Sequence, residues 1–218
     1  CMMSTKRVRF VTDYTLQPIP GKTLSRRLPE GTALVLEGGG LRGYYSCGVM
    51  EVFMEKDLLF PYIIGVSAGA ANALSYISGQ PGRSREIIEH YVGNPDYVST
   101  RNLLTKHTMF DFDYMFGTVP EKHIFFDWDK FHEQDTRFLT GAMNCADGKT
   151  VWFEKDTLKA PFMASRASCS VPLITKIQHY MGYDLLAGGI SDPIPIEKSL
   201  ADGNTFPVIV LTRTKGSQ

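Results

Sequence analysis

The sequence has no surplus of charge. Its 23 lysines and arginines offset 23 aspartates and glutamates, for a formal net charge of zero. Nothing here suggests nucleic acid as a partner, since that calls for a strong basic bias. Long apolar runs are missing too. No stretch approaches the roughly 18–20 residues needed to cross a bilayer, so any membrane contact would be peripheral. Cysteine is sparse: Cys1, Cys47, Cys145 and Cys169 are scattered and form no Cys-x-x-Cys pair. That argues for free thiols in a reducing compartment and against a disulfide framework. The histidines, His90, His107, His123, His132 and His179, lack a spacing such as His-x-x-x-His, and neither a metal nor a cofactor is implied. No signal peptide is expected from the opening residues, because Lys6, Arg7 and Arg9 are not followed by a long apolar core. Cytoplasmic is the default location, with peripheral contact at the inner membrane left open. The opening Cys1-Met2-Met3 is not a simple initiator methionine and stays outside the fold argument.

What is present fits one large α/β domain. The chain has 218 residues, 43% hydrophobic and 21% charged, an ordinary globular balance. Prolines 18, 20 and 29 break a polar opening, so residues 1–31 read as an extended leader and 32–218 as the domain. Thr32-Ala33-Leu34-Val35-Leu36-Glu37 reads as a buried parallel strand. Gly38-Gly39-Gly40-Leu41-Arg42-Gly43 follows at once, and a helix is expected from about Tyr44 to Lys56. Phe60 to Ile64 reads as the next strand, and it ends in Gly65-Val66-Ser67-Ala68-Gly69, with a helix from Ala68 to Ile77. Such a βαβα order implies a parallel sheet with a right-handed crossover.

The Gly-x-Ser-x-Gly stretch is the chemical centre. Placed between a buried strand and a helix, it leaves the hydroxyl of Ser67 exposed at the tip of a tight turn. The unpaired N–H groups of the helix start lie beside it, ready for a developing negative charge. Ser67 is therefore the candidate nucleophile, with Gly65, Val66, Ala68 and Gly69 as its elbow. The loop Gly38, Gly39, Gly40, Leu41, Arg42 and Gly43 is the candidate oxyanion hole, since its N–H groups can converge between strand and helix. It also matches a dinucleotide-binding Gly-x-Gly-x-x-Gly. A dinucleotide fold wants an acid about 20 residues on, at the end of the next strand. Here that strand ends in the Ser67 turn, which argues against a nucleotide.

Further along, residues 95–135 carry many aromatics interleaved with acids, and read either as an insertion with its own small core or as a cap lining an acyl-chain pocket. Asp111, Asp113, Asp127 and Asp129 lack the glycine and closing glutamate of a calcium loop, so they read as solvated acids. Phe138–Met143 and Thr150–Glu154 are expected to pair through Asp147-Gly148. A helix is expected over Asp156–Ser168, short strands over Pro172–Ile177 and Tyr183–Leu186, a short helix near Ile196–Leu200, and a last buried strand over Phe206–Thr212.

Three motifs in order carry a resemblance to a known family. Residues 38–43, residues 65–69 and Gly188-Gly189-Ile190-Ser191-Asp192-Pro193-Ile194-Pro195 together resemble the patatin-like phospholipases over about residues 32–213. The similarity is greatest to bacterial members whose serine turn continues as residues 65–73 do here. The resemblance implies a three-layer α/β/α sandwich with a mostly parallel central sheet. It implies hydrolysis of lipid acyl esters by a Ser–Asp dyad without histidine, the glycine loop serving as oxyanion hole. Related proteins usually continue into further helices beyond the point matching Thr212.

The chain departs from that pattern at one position. The family's aspartate opens the third motif, before Gly188 and Gly189, and here the residue is Ala187. Ser67 then lacks its expected base. Asp184 falls on the opposite strand face from position 187, and Asp192 belongs to the structural Asp-Pro-x-Pro part. The expectation is a lipid acyl hydrolase of phospholipase A or esterase type, inactive or strongly impaired. Two alternatives stay open: a lipid-binding pseudoenzyme, and an α/β-hydrolase-type esterase in which His179 completes a triad with Ser67.

Overall fold

A computed structural model describes residues 19–214 and 216. Residues 1–18 of the expected leader lie outside the described residues. The strands are β1 (Arg26–Arg27), β2 (Thr32–Leu36), β3 (Leu58–Leu59), β4 (Tyr62–Val66), β5 (Arg137–Asn144), β6 (Thr150–Glu154), β7 (Gln178–Tyr180), β8 (Tyr183–Ala187) and β9 (Phe206–Val210). The helices are α1 (Gly43–Glu55), α2 (Ser67–Ile77), α3 (Arg83–Ile87), α4 (Thr100–Lys106), α5 (Trp128–Glu133), α6 (Met163–Ser168) and α7 (Ile196–Ala201). Two π-helical turns, Ile88–Val92 and Tyr114–His123, extend α3 and cross the aromatic insertion.

The main sheet runs β7-β8-β5-β4-β2-β9, with β6 also paired to β5. Its centre is parallel, through β5–β4, β4–β2 and β2–β9. Antiparallel pairs complete it: β6 flanks β5 on the side away from β4, and β8, with β7 beyond it, pairs with the end of β5 past β4. Strand alternation splits the core between two faces. Leu34, Leu36 and Ile63 pack with Met50 and Met54 of α1 and Ala70 and Ala73 of α2. Ala33, Val35 and Ile64 point the other way, toward Ile194, and α7 covers that side against β2 and β9. Helix, sheet and helix thus form the layers of a patatin-type α/β fold. The leader's described end lies on this body: Leu24 is buried and β1 pairs in parallel with β3.

Two sequence expectations need correction. Asp156–Ser168 is not one helix. A 3-10 turn at Lys155–Thr157 and the bend at Ala160-Pro161 precede a helix that starts only at Met163. Proline supplies no N–H and disfavours helical geometry in the residue before it, so the helix cannot run through position 161. Pro172–Ile177 is not a strand either. It has no sheet partner; Leu173 sits at φ 71° and is 97% exposed, and Thr175 N–H bonds back to Val171 as in a helical turn.

Candidate active site

The parallel register brings two of the three motifs to one edge. Leu36 lies level with Gly65, and Val66 with Gly141. The glycine loop leaving β2 and the elbow leaving β4 therefore emerge side by side, at the carboxyl ends of the strands where open α/β sheets hold their ligands.

Ser67 directly follows β4 as the first residue of α2, and its φ is 51°. A side chain in the left-handed region costs roughly 1–2 kcal/mol, so the surrounding packing must hold it there. The flanking glycines make that packing possible. A Cβ on Gly69 would fall 2.6 Å from the carbonyl oxygen of Glu37, and one on Gly65 would fall 3.0 Å from the nitrogen of Ala70. Helix α2 can thus press directly onto β2.

The loop meets the serine at close range. A Cβ on Gly38 would lie 3.1 Å from Cβ of Ser67. Gly39 and Gly40 both have positive φ, 157° and 55°, which lets the chain turn over the serine. Gly43 seats the start of α1 against α2, its carbonyl accepting a 2.9 Å bond from the Asn72 side chain. From outside, the Thr212 hydroxyl donates to the Gly38 carbonyl at 2.7 Å, and the Thr212 N–H donates to the buried Glu37 carboxylate at 2.5 Å. Arg42 and Leu41 are exposed, and Leu41 lines the cavity described below.

Two neighbours of Ser67 come from α6 and its cap, and sequence reasoning did not find them. The Ser168 hydroxyl accepts from the Ser67 N–H at 2.7 Å and donates to the Gly141 carbonyl at 2.6 Å. It therefore ties the elbow to β5. Cys169 places its thiol against the Ser67 hydroxyl. Burial pushes that thiol up to about 12, the contact with Ser67 pulling weakly the other way, so at neutral pH it keeps its proton. The signal available was the run of small residues from Ala167 to Ser170, which suits close packing against the elbow.

The third motif reaches the same edge by a different route. Ala187 pairs across β5 with Ala142, its N–H bonded to the Ser170 carbonyl at 2.8 Å. Gly188 is wedged tight: a Cβ there would fall 2.1 Å from the Gly141 oxygen and 3.0 Å from Cγ1 of Val66, the residue before the serine. Gly189 faces open space. Because β4 pairs with β5 up to Gly141 and β8 takes over the same side of β5 from Ala142, the turn at 187–189 abuts the end of β4, beside the elbow.

The other carboxylates and His179 lie elsewhere. Leu185 is in the core, so its neighbour Asp184 points outward, where it accepts from or pairs with Nδ1 of exposed His179 at 2.5 Å. Both sit toward the β7 edge of the sheet and neither lines the cavity beside Ser67. Asp192 is half-buried, and burial, with Glu197 second, raises its carboxyl above the ordinary range. Three of the insertion's four acids singled out above are engaged rather than simply solvated: Asp111 with Lys106, Asp113 with Arg166, and Asp127 as the N-cap of α5.

Ser67 borders a cavity of about 380 Å³. Its floor is one face of α2, and Tyr97, Phe110, Met115 and Phe116 of the insertion close it from above. The insertion's first half lines the cavity, while Phe126 and Phe131 join the main core with Phe162. Among the described residues no helix is long and apolar enough to cross a membrane.

The chain is 28% identical over 202 residues to the uncharacterized protein YjjU of Escherichia coli (strain K12), an alignment covering 91% of this chain and 56% of that protein. It thus spans about half the length of that relative. The crystal structure of VipD from Legionella pneumophila is similar at a TM-score of 0.43 and 14% identity, over 79% of this chain and 50% of that one. A family model described as patatin-like phospholipase matches residues 34–199. The chain belongs to the patatin-like phospholipase family.

Proposed function

We propose that this chain carries a serine-dependent lipid acyl hydrolase site, with Ser67 as nucleophile and position 187 as the seat of its base. The observation that carries the reading is Ser67 itself: a left-handed serine at a strand-to-helix junction, on the border of a largely apolar cavity. In the reaction, the Ser67 Oγ attacks the ester carbonyl while a base takes its proton. The glycine loop and the first N–H groups of α2 receive the oxyanion. The leaving alcohol takes the proton, and water then releases the acyl group by the same steps. Leu41 and Tyr44, exposed and lining the cavity, give its mouth an apolar rim that suits a lipid substrate.

Ala187 cannot take the proton, and the Cys169 thiol beside Ser67 is itself protonated. Losing the base of a serine hydrolase lowers the rate roughly 10³–10⁶-fold, about 4–8 kcal/mol of transition-state stabilisation. The chain as it stands is accordingly a strongly impaired enzyme. Ala187→Asp is expected to raise hydrolysis of a short p-nitrophenyl ester by several orders of magnitude. A folded Ala187→Asp protein without any gain removes the dyad assignment.

A second reading has support from one feature, an intact cavity beside a serine without a base. In it the protein binds lipid and does no chemistry. Strong labelling of Ser67 by a fluorophosphonate favours residual catalysis; no labelling together with fatty-acid binding favours the binder.

A further inference from the structure

The cavity is not apolar from end to end. It follows one face of α2, from Ser67 and Ala68 through Ala71 and Leu74 to Ser75. Eight residues at 1.5 Å rise place Ser75 about 12 Å from Ser67 along the helix. At that far end stands Arg83, the first residue of α3 and 4% exposed. Its Nη1 donates to the Ser75 hydroxyl at 3.0 Å, Nε to the Phe125 carbonyl at 3.1 Å and Nη2 to the Ile124 carbonyl at 3.4 Å. The guanidinium also lies over the Phe126 ring, 4.9 Å from its centroid.

Every one of those partners is neutral. No carboxylate stands within ion-pair distance of Arg83 among the described residues. The contrast is Arg166, as buried as Arg83, which has Asp113. A buried charge without a counterion is expensive, and neutral carbonyls offset only part of the lost hydration. Burial pushes Arg83 down to about 9, so it still holds its charge at neutral pH. A guanidinium has five N–H donors, and three are engaged here. The remaining two have no acceptor among the described residues, and Arg83 lines the cavity.

We infer that this cavity takes an acyl ester whose chain ends in a carboxylate, with the ester carbonyl at Ser67 and the terminal carboxylate on Arg83. This rests on the reading of Ser67 as the nucleophile. The length follows from the geometry: at a C–C bond of about 1.5 Å, a zigzag chain spans 12 Å with about ten carbons. The volume allows it. A cavity of about 150 Å³ holds the six carbons of benzene, so 380 Å³ has room for ten. The carboxylate would supply the counterion that Arg83 lacks, in a bidentate or single charge-assisted bond.

The test compares monomethyl decanedioate, which has an ester at one end and a carboxylate at the other, with dimethyl decanedioate, which is uncharged. Calorimetric titration of the unaltered chain is expected to show the monoester binding about 10- to 100-fold more tightly, the range for hydrogen bonds to a charged group. Arg83→Gln should abolish that preference, and Arg83→Lys should retain part of it. Equal affinity of the two esters for the unaltered chain overturns the inference, whether or not the Gln variant folds. So does a preference that survives in folded Arg83→Gln. Hydrolysis is read separately, in the Ala187→Asp background. Preferential binding of the monoester without its hydrolysis there leaves the Arg83 pocket standing and sinks the nucleophile reading. Hydrolysis of both esters at one rate, with equal binding, does the reverse.

Discussion

The turn at residues 65–69 and the turn at 187–189 sit on the same sheet edge, and they differ in kind. The first retains both its backbone fit and its reactive group: Gly65 and Gly69 let α2 press on β2, and Ser67 is held at φ 51°. The second retains the fit alone. Gly188 is wedged between Gly141 and Val66, yet the residue before it offers only a methyl group. Packing and chemistry are therefore separable here. The sheet edge is specified by close backbone contacts, which the buried Ala187 satisfies without a carboxylate.

The sharpest way to break that contrast is to restore the acid and then remove other parts. In the Ala187→Asp background, Ser67→Ala is expected to cost roughly 10³-fold or more in kcat/KM, while His179→Gln leaves it nearly unchanged. A collapse caused by His179→Gln would move the base to the β7 edge and undo the pairing of the two turns. Next in size is the wedge itself. Gly188→Ala pushes a methyl into the Gly141 carbonyl and should destabilise the fold by about 3 kcal/mol, whereas Gly189→Ala, facing open space, should fall within about 0.5 kcal/mol. Urea unfolding of the two variants decides this, and similar midpoints would mean the turn is looser than its contacts imply.

Smaller still is the bridge between the elbow and β5. Ser168→Ala leaves the Ser67 N–H and the Gly141 carbonyl without that partner, which should cost about 1–3 kcal/mol by the same measurement. The smallest effect is the thiol beside the serine. Cys169 titrates near 9 when unfolded and near 12 when folded, because burial disfavours its thiolate. A raised folded value means its contribution is complete below pH 9 and disappears as pH climbs toward 12. Cys169→Ala should flatten that part of the alkaline stability curve. In line with this, iodoacetamide at pH 8 should modify exposed Cys145 well before Cys169, as mass spectrometry would report.

Much of the fold was legible because its signals are local. The apolar run into Gly65 and the small residues after Ser67 prescribe strand, turn and helix without reference to the rest of the chain. The same is true of the β5–β6 pairing through Asp147-Gly148. Misreadings came where local preference lost to context. Pro172 to Ile177 has β-forming residues but no neighbouring strand to pair with, and Pro161 halves a helix that composition alone would allow. The lining of the cavity was open to two readings because aromatic residues serve a core and a pocket equally well. Ser168, Cys169 and Arg83 were invisible for a different reason. Each matters through a partner far away in sequence or through burial, and neither property is written in the residue itself.

The clasp on the glycine loop has its own consequence. Thr212, two residues past the end of β9, grips both Gly38 and Glu37 across 174 and 175 positions of chain. A protease nick just after Val210 would leave every strand of the sheet paired. It would also cut loose the segment that fastens the loop. The glycine loop would then lose its anchor while the scaffold stayed whole, so a clipped protein would look folded by circular dichroism with the segment over Ser67 unfastened.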